Sequence, residues 1–276
     1  MKLFKAIGIL LITVSLYSCE DVVDVNIANA NHVLVVEGSL TNLRENQYVK
    51  LYYTIPVLAD GGYEVVTKAL ITLKDNHNNV EILKESTPGC YQISTMKGRE
   101  GRTYTLDIKT TDGIYEAIST MPRLTMTPDT IQFKYETKSI IYPDEGYYPI
   151  INGKELEGVG DFSQFKIFKN NKFLNKANEI NLFKDEYVDG KYISNYELDI
   201  DSGFVSGDLI RVEAWSLTED NYIFWDDIQT QLNNSGIFAI PLPSARSNII
   251  KITQDSRDVT GFFGTSMVKS VQKLIP

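Results

Sequence analysis

The clearest chemical potential in the chain lies near its start, where a nucleophile follows a short apolar run. Leu16, Tyr17 and Ser18 precede Cys19, so a branched apolar residue stands three positions before the thiol and a small residue directly before it. Ser18 leaves room for a peptidase, and the Cys19 thiol is a nucleophile that can take a diacylglycerol group. The spacing predicts cleavage before Cys19 and attachment of acyl chains such as palmitate to this residue.

The segment before the cysteine has the features of a secretory signal. Lys2 and Lys5 form a basic start, and residues 6–16 carry no charge. This run is too short to span a bilayer, which needs roughly twenty apolar residues, but it suits the apolar core of a signal. With Cys19 it is similar to the bacterial lipobox, although Tyr17 is bulkier than the common occupant. We expect a lipoprotein signal peptide at residues 1–18. The alternatives are an ordinary signal cut nearby, which leaves a free thiol, and a buried N-terminal helix.

Charge and cysteine content exclude several classes. Loss of Lys2 and Lys5 takes the 27 Lys and Arg residues to 25 against 36 Asp and Glu, a net charge of −11. Such an acidic surface repels nucleic acid, so no nucleic-acid partner is expected. With Cys19 acylated, only Cys90 remains, which excludes an internal disulfide. We expect Cys90 to be a buried thiol rather than a nucleophile.

Motifs for catalysis or for metal binding are not found in the sequence. His32 and His77 are the two histidines, and neither has a partner at metal-ligand spacing. No nucleophile elbow, phosphate-cradling loop or dinucleotide fingerprint occurs. The sequence therefore predicts a protein that is not an enzyme, with no catalytic residue, no metal and no cofactor.

Two pairs of carboxylates are the nearest approach to a catalytic or metal site. With 36 acids in the chain, such pairs are expected by chance. Asp226 and Asp227 are adjacent in a predicted helix and would point about 100° apart. Asp199 and Asp201 would share one strand face beside Gly203, a weak candidate for calcium.

The elements that must position these residues are mainly strands. Residues 31–122 contain about seven short alternating segments at about ten-residue spacing, which is typical of a β-sandwich. Asparagines at 76–79 and the pair Asp112 and Gly113 predict hairpin turns, because these residues accept the left-handed conformation. Before this block, residues 19–30 form an acidic tether.

The stretch from residue 121 to residue 130 contains Pro122 and Pro128 and is interpreted as a domain junction. Residues 123–276 then form a second β-rich domain. The alternative is an ordinary loop inside one large sandwich.

One helix is expected near 218–233, capped by Thr218. Alternation along one strand places Phe162, Gln164, Lys166 and Phe168 on one face, opposite Phe165 and Ile167. An aromatic stripe on the helix is interpreted as core packing rather than a ligand platform: Tyr222, Trp225, Ile228, Gln229 and Leu232.

A long segment rich in glycine and proline, residues 142–160, is the predicted contact surface. It carries Tyr142, Tyr147 and Tyr148, and exposed tyrosines are common anchors of protein and glycan contacts. Loops of this length are uncommon unless they are functional or disordered. Most tyrosines of the chain are nevertheless expected in strands and the core.

Several short motifs spread over the chain belong together. They are Leu34–Gly38 (LVVEG), Lys68–Asp75 (KALITLKD), Gly89–Tyr91 (GCY), Gly101–Ala117, Ser247–Ile250 (SNII) and Gly261–Ser266 (GFFGTS). In combination with the lipobox they resemble a large Bacteroidetes family of outer-membrane lipoproteins of unknown function. The resemblance implies an N-terminal sandwich similar to transthyretin-like or immunoglobulin-like domains and a gene that lies beside that of a TonB-dependent receptor. It implies no catalytic residue set.

Glu20 and Asp21 directly follow the predicted lipid anchor. They resemble the export signals that send lipoproteins of that phylum to the cell surface, and the alternative is a solvated tether in which any polar residue would serve. We expect an outer-membrane lipoprotein, anchored by its lipid and exposed at the surface. It would act as a non-enzymatic accessory or binding subunit beside a TonB-dependent receptor. The alternatives are a glycan-binding or glycan-processing lipoprotein and an adhesin-like module.

Overall fold

The computed structural model of the protein describes residues 32–44, 47–55, 61–234 and 240–276. The predicted signal peptide, the acidic tether and Cys19, Glu20 and Asp21 lie outside these residues and stay predictions. Within them the chain is mainly β with one α-helix, so the predicted fold class is confirmed. No described helix is long and apolar enough to cross a membrane.

The regular elements fall into two groups along the chain. The first group is β1 (Leu34–Thr41), β2 (Tyr48–Tyr53), β3 (Leu70–Asp75), β4 (Val80–Ile82), β5 (Lys84–Thr87), β6 (Cys90–Gln92), β7 (Thr103–Thr110) and β8 (Gly113–Thr120). The second group is β9 (Thr127–Glu136), β10 (Gly146–Lys154), β11 (Phe162–Lys169), β12 (Lys172–Phe173), a 3-10 helix (Ala177–Glu179), β13 (Asn181–Lys184), β14 (Tyr192–Glu197), β15 (Leu209–Leu217), α1 (Glu219–Asn233), β16 (Ile249–Lys251), β17 (Val259–Ser266) and β18 (Val268–Leu274).

The first sandwich consists of two five-stranded sheets, ordered β17-β1-β2-β6-β5 and β16-β8-β7-β3-β4. Alternating side chains of these strands bury one core, in which Tyr104, Leu106 and Ile108 of β7 are fully buried. Both predicted hairpins are confirmed: β3 pairs with β4 and β7 pairs with β8. Asn78 adopts a φ of 63° in the first turn, which asparagine tolerates better than most residues.

Two strands from the end of the chain complete this sandwich. β17 runs parallel to β1 along its whole length, and β16 pairs with β8. Phe263 of β17 is fully buried in the first core. The sequence assigned residues 123–276 to a second domain, but the edges of β1 and β8 are covered by strands from within that range. The domain boundaries themselves stay a prediction.

The closing motifs of the sequence hold these two strands together. Asn248 Nδ2 donates to the Phe263 carbonyl at 2.8 Å, and the Phe263 N–H donates to Asn248 Oδ1 at 3.0 Å. Ser247 Oγ donates to the Gly261 carbonyl at 2.6 Å. Gly261 has a φ of 103°, and a Cβ there would lie 2.1 Å from the carbonyl oxygen of Val36. Glycine is therefore required where β17 approaches β1.

The second sandwich packs the sheet β14-β10-β9 against the sheet β12-β11-β15-β18, with β13 beside β11. Its core contains Phe165 and Ile167 of β11, both fully buried, on the face that the sequence alternation predicts. Only Met267 separates β17 in the first sandwich from β18 in the second. One nearly continuous stretch therefore contributes a strand to each.

The predicted helix is confirmed as α1, with Thr218 as its N-cap. Thr218 Oγ1 accepts the N–H of Asn221 at 3.2 Å, which satisfies one of the free donors of the first turn. Glu219 and Asp220 stand in that turn, where the helix dipole favours negative charge. The helix contacts both sandwiches: Phe224 packs on Phe262 of β17, and Tyr222 on Phe162 of β11.

Candidate functional site

The candidate functional site is a cavity of about 430 Å³ between the two sandwiches. Strands β1, β2 and β17 form one wall, and β11 and β15 form the opposite wall. Helix α1 and the segment Phe173–Ile180 close the sides. Cavities of about 300–1,000 Å³ are typical of small-molecule sites, so the volume fits a ligand of that class.

Strand alternation decides which side chains face this cavity. Along β1, Val36 and Leu40 enter the core of the first sandwich, while Val35 and Glu37 face the cavity. Along β11 the cavity-facing residues are Gln164 and Lys166. The sequence placed them on one face but did not identify them as a site. The only sequence signal was a polar pair on a strand otherwise rich in phenylalanine.

Lys166 is the charged centre of the cavity. Its Nζ lies 3.4 Å from the centroid of the Trp215 ring and 5.9 Å from that of Phe173. Among the residues that the structure describes, no hydrogen-bond or ion-pair partner contacts this nitrogen. Burial lowers the pKa of Lys166 to about 7, against the opposing charge of Glu37. The ammonium thus lies on ring faces without a direct partner among the described residues, and an anion in the cavity would stabilise its charged form.

Trp215 is held in place by a chain of polar contacts along β15. Its Nε1 donates to Glu213 Oε2 at 2.9 Å, and Glu213 forms an ion pair with Arg211. The Arg211 guanidinium stacks 3.9 Å above the ring of Phe168. These contacts fix the indole plane, so Lys166 meets a preorganised aromatic face.

Gln164 adds an unsatisfied acceptor beside Lys166. The residue is 3% exposed, and its Oε1 has no hydrogen-bond partner in the described part of the chain. A buried acceptor without a donor costs about 1–3 kcal/mol. Gln164 lines the cavity, but its Oε1 is closed off from the cavity space, so a ligand would reach this acceptor only after rotation of the amide.

The wall formed by α1 is aromatic and incompletely buried. Phe224, Trp225 and Ile228 line the cavity and are only partly buried, and Leu232 is 53% exposed. The interpretation of the helical stripe as core packing is therefore wrong for Trp225, Ile228 and Leu232. Helical periodicity identifies a face but cannot tell a filled core from a wall of a cavity.

The lining residues limit the chemistry of the site. They include no histidine and no cysteine, and aromatic and aliphatic side chains surround a lysine, an amide and two carboxylates, those of Lys166, Gln164, Glu37 and Glu179. The arrangement is suited to holding a small molecule with an apolar body and a polar or anionic group.

The predicted contact segment is a strand for much of its length. Residues 146–154 form β10, the central strand of its sheet, so the expectation of a long loop is wrong there. Pro149 and a bulge at Gly153 hide its alternation in the sequence. Tyr148 is 3% exposed, whereas Tyr142 and Tyr147 are half-buried. The contact role of these tyrosines stays a prediction. Tyr148 is too deeply buried to offer much contact surface.

The carboxylate pairs considered from the sequence are not brought together as sites. Asp199 and Asp201 follow β14 outside any strand, so the shared strand face is wrong. Asp201 binds Lys176 and Asn178, and Asp227 forms a two-pronged pair with Arg246. Hydrogen bonds from Arg246 hold the pKa of Asp227 at about 2.

The remaining single residues lie apart from the cavity. His32 is exposed and its Nδ1 lies 3.8 Å from Glu64, while His77 is exposed in the turn between β3 and β4. Cys90 is a free thiol on β6 and is half-buried, not buried as expected. None of the three lines the cavity.

A model of a known protein family matches most of the chain. Residues 20–272 match the family model described as "Domain of unknown function (DUF4249)". The search of curated proteins found no match. The matched range includes both sandwiches, the cavity between them and most of β18.

Proposed function

We propose a function for this chain, which belongs to the DUF4249 family of domains of unknown function. The protein is a non-enzymatic binding lipoprotein, anchored in the outer membrane through acylated Cys19. It holds a small ligand in the cavity between its sandwiches and works as an accessory subunit beside a TonB-dependent receptor. The observation that supports a binding role is the cavity itself, with an unpaired lysine on an aromatic face.

The cavity selects for a particular ligand chemistry. Lys166 favours an anionic group, and the Gln164 amide adds a polar group to the same wall. Trp215, Phe224 and Phe262 favour an apolar or aromatic body. The ligand is therefore an amphipathic anion, with its charged group on β11 and its apolar part along α1.

A pair of fluorescent probes tests this chemistry. Anilinonaphthalene sulfonate carries an aromatic body and an anionic group, and N-phenylnaphthylamine is a neutral analogue. We expect the folded protein to bind both, and Lys166→Met to weaken the anionic probe about tenfold while the affinity for the neutral probe changes less than about twofold. Tenfold corresponds to about 1.4 kcal/mol, at the lower end for a charge-assisted hydrogen bond.

The matched control is Lys269→Met, which removes an exposed lysine from β18. It should leave both probe affinities unchanged. Equal binding of the anionic probe by the parent protein and Lys166→Met would contradict an anion site at Lys166. Absence of binding of either probe to the folded parent protein would contradict a ligand cavity.

A glycan ligand is the second candidate, supported by the half-buried Trp225 on the cavity wall. Sugars stack on such rings through their apolar faces, so neutral oligosaccharides would be retained without need of Lys166. Affinity electrophoresis in gels containing oligosaccharides distinguishes the candidates. Retardation lost in Trp225→Ala but kept in Lys166→Met would favour the glycan role.

The anchoring and the partner require a separate experiment. The tagged protein is extracted from cells in mild detergent, and a barrel protein in a roughly one-to-one ratio is expected to co-purify. Cys19→Ala should move the protein out of the membrane fraction, because the thiol that accepts the lipid is gone. Recovery of the protein alone would argue against the receptor-associated role and leave the ligand experiments unaffected.

A further inference from the structure

A second polar centre lies in the second sandwich, away from the cavity. Glu155 directly follows β10, Asp161 directly precedes β11, and Asp185 directly follows β13. Their carboxylate oxygens lie within 4.8 Å of one another. The ends of three strands thus bring three negative charges to one point, which needs a compensating interaction.

The negative charge of Glu155 has the fewest compensating contacts of the three. It is fully buried, its Oε2 accepts the Gly190 N–H at 2.5 Å, and its Oε1 has no partner among the described residues. Burial raises the pKa of Glu155, and the charges of Asp161 and Asp185 act in the same direction. A buried carboxylate oxygen in this position requires either a proton or a cation.

One positively charged side chain, that of Arg123, lies at the edge of the cluster. Arg123 donates to Asp161 through Nε and Nη2, with a shortest distance of 2.6 Å. The same guanidinium donates to the carbonyls of Glu157 and Gly158. Arg123 is thus committed to Asp161 and the loop. Three carboxylates against one guanidinium leave two negative charges when all are ionised.

Asp185 presents its carboxylate to the same point. Both of its oxygens accept the single N–H of Gly160, at 3.0 and 3.1 Å. Each carboxylate oxygen has further acceptor capacity, so one shared N–H leaves lone pairs of Asp185 free for a cation. With the free oxygen of Glu155, this gives a group of hard oxygen ligands.

We propose that Glu155, Asp161 and Asp185 bind one divalent cation of the calcium type. Calcium lies about 2.3–2.6 Å from its oxygen ligands, so two ligands of one ion are at most about 5 Å apart. The observed limit of 4.8 Å satisfies this condition without movement of the chain. Magnesium requires near-octahedral geometry and keeps several of its waters, so a set of three protein carboxylates suits calcium better. Two charges on the ion match the two uncompensated charges of the cluster.

Such an ion would have a structural role. It would join the end of β10, the start of β11 and the end of β13, which belong to both sheets of the second sandwich. The competing explanation is a proton on Glu155 shared with a neighbouring carboxylate. The two explanations differ in whether added metal changes the protein.

The experiment uses the full chain, purified in detergent and freed of metal by a chelating resin. Isothermal titration with CaCl₂ at pH 7 should show one ion bound per chain, and saturating calcium should raise the Tm by about 5 °C. MgCl₂ should bind at least about tenfold more weakly. Glu155→Gln, which keeps the shape and removes the charge, should abolish the heat of binding and the Tm shift.

Asp201→Asn is the matched control, because Asp201 is a half-buried carboxylate that pairs with Lys176 in a different acidic loop. It should retain calcium binding. If Glu155→Gln fails to fold, Asp185→Asn serves as the second variant with the same expected loss. No heat of binding and no Tm shift in the parent protein would overturn the proposal, as would calcium binding that survives both substitutions. The probe experiments on the cavity do not depend on this outcome.

Discussion

Replacing Lys166 with methionine should make the protein more stable while weakening its hold on an anion. Methionine keeps much of the length of lysine and can lie on the Trp215 face without a charge. A residue that costs stability and is still required for binding is the expected mark of a functional site, because activity and stability make opposite demands there.

The size of the stabilisation expected for Lys166→Met follows from the surroundings of the ammonium. A fall in pKa from 10.5 to about 7 corresponds to about 5 kcal/mol at 1.36 kcal/mol per pKa unit. This is an upper limit, because the cavity is open to solvent and Glu37 lies near. A stabilisation of about 2 kcal/mol at pH 7 is therefore expected for Lys166→Met.

The stability difference between the parent protein and Lys166→Met should depend on pH, and its direction follows from the pKa of Lys166. The unfolded chain keeps the Lys166 proton up to about pH 10.5, whereas the folded protein loses it above about pH 7. Between these values the unfolded state binds more protons, so the stability of the parent protein rises with pH. The variant lacks this rise. The difference between the two proteins should be largest at or below pH 7 and shrink towards pH 9.5.

Urea unfolding at pH 6.5, 7.5, 8.5 and 9.5 measures this difference. Subtracting the two curves cancels the titration of groups that both proteins share, and the series stops below the range in which Tyr52, with a pKa raised to about 12, would titrate. Lys269→Met should follow the parent protein at every pH. A variant less stable than the parent at pH 7, or a difference that does not change with pH, would refute the reasoning.

Three further predictions concern the fold and the anchor. Gly261→Ala should lower the free energy of unfolding, measured with urea, by about 3 kcal/mol, because φ is positive there and the new Cβ would meet the backbone of β1. Gly61→Ala, where a Cβ meets open space, should change the free energy of unfolding little. Thr218→Ala should lower the free energy of unfolding by about 1 kcal/mol through loss of the N-cap, and an unchanged value would show that the cap is dispensable. Replacing Glu20 and Asp21 with alanine should leave lipidation intact but lower protease accessibility on whole cells; unchanged accessibility would contradict the export role.

Local patterns identified most of the elements but not their partners. Alternation predicts β1, β2 and β7, and the capping threonine predicts α1, because these signals depend on neighbours within a few residues. β10 was missed since Pro149 and the bulge at Gly153 interrupt the alternation. The pairing of β17 with β1 joins residues more than 200 positions apart, and no local signal encodes such a contact.

The sequence by itself determined the β class, the helix, the acidic charge and the motif at Cys19, because composition, periodicity and short spacings carry that information. It also determined that Gln164 and Lys166 share a strand face. Only the tertiary structure decided that this face lies beside Trp215 in the wall of a cavity and that Glu155, Asp161 and Asp185 converge. The cavity exists only once the two sandwiches have packed, and the carboxylate cluster exists only once the strand ends of the second sandwich have come together, because neither arrangement follows from local sequence.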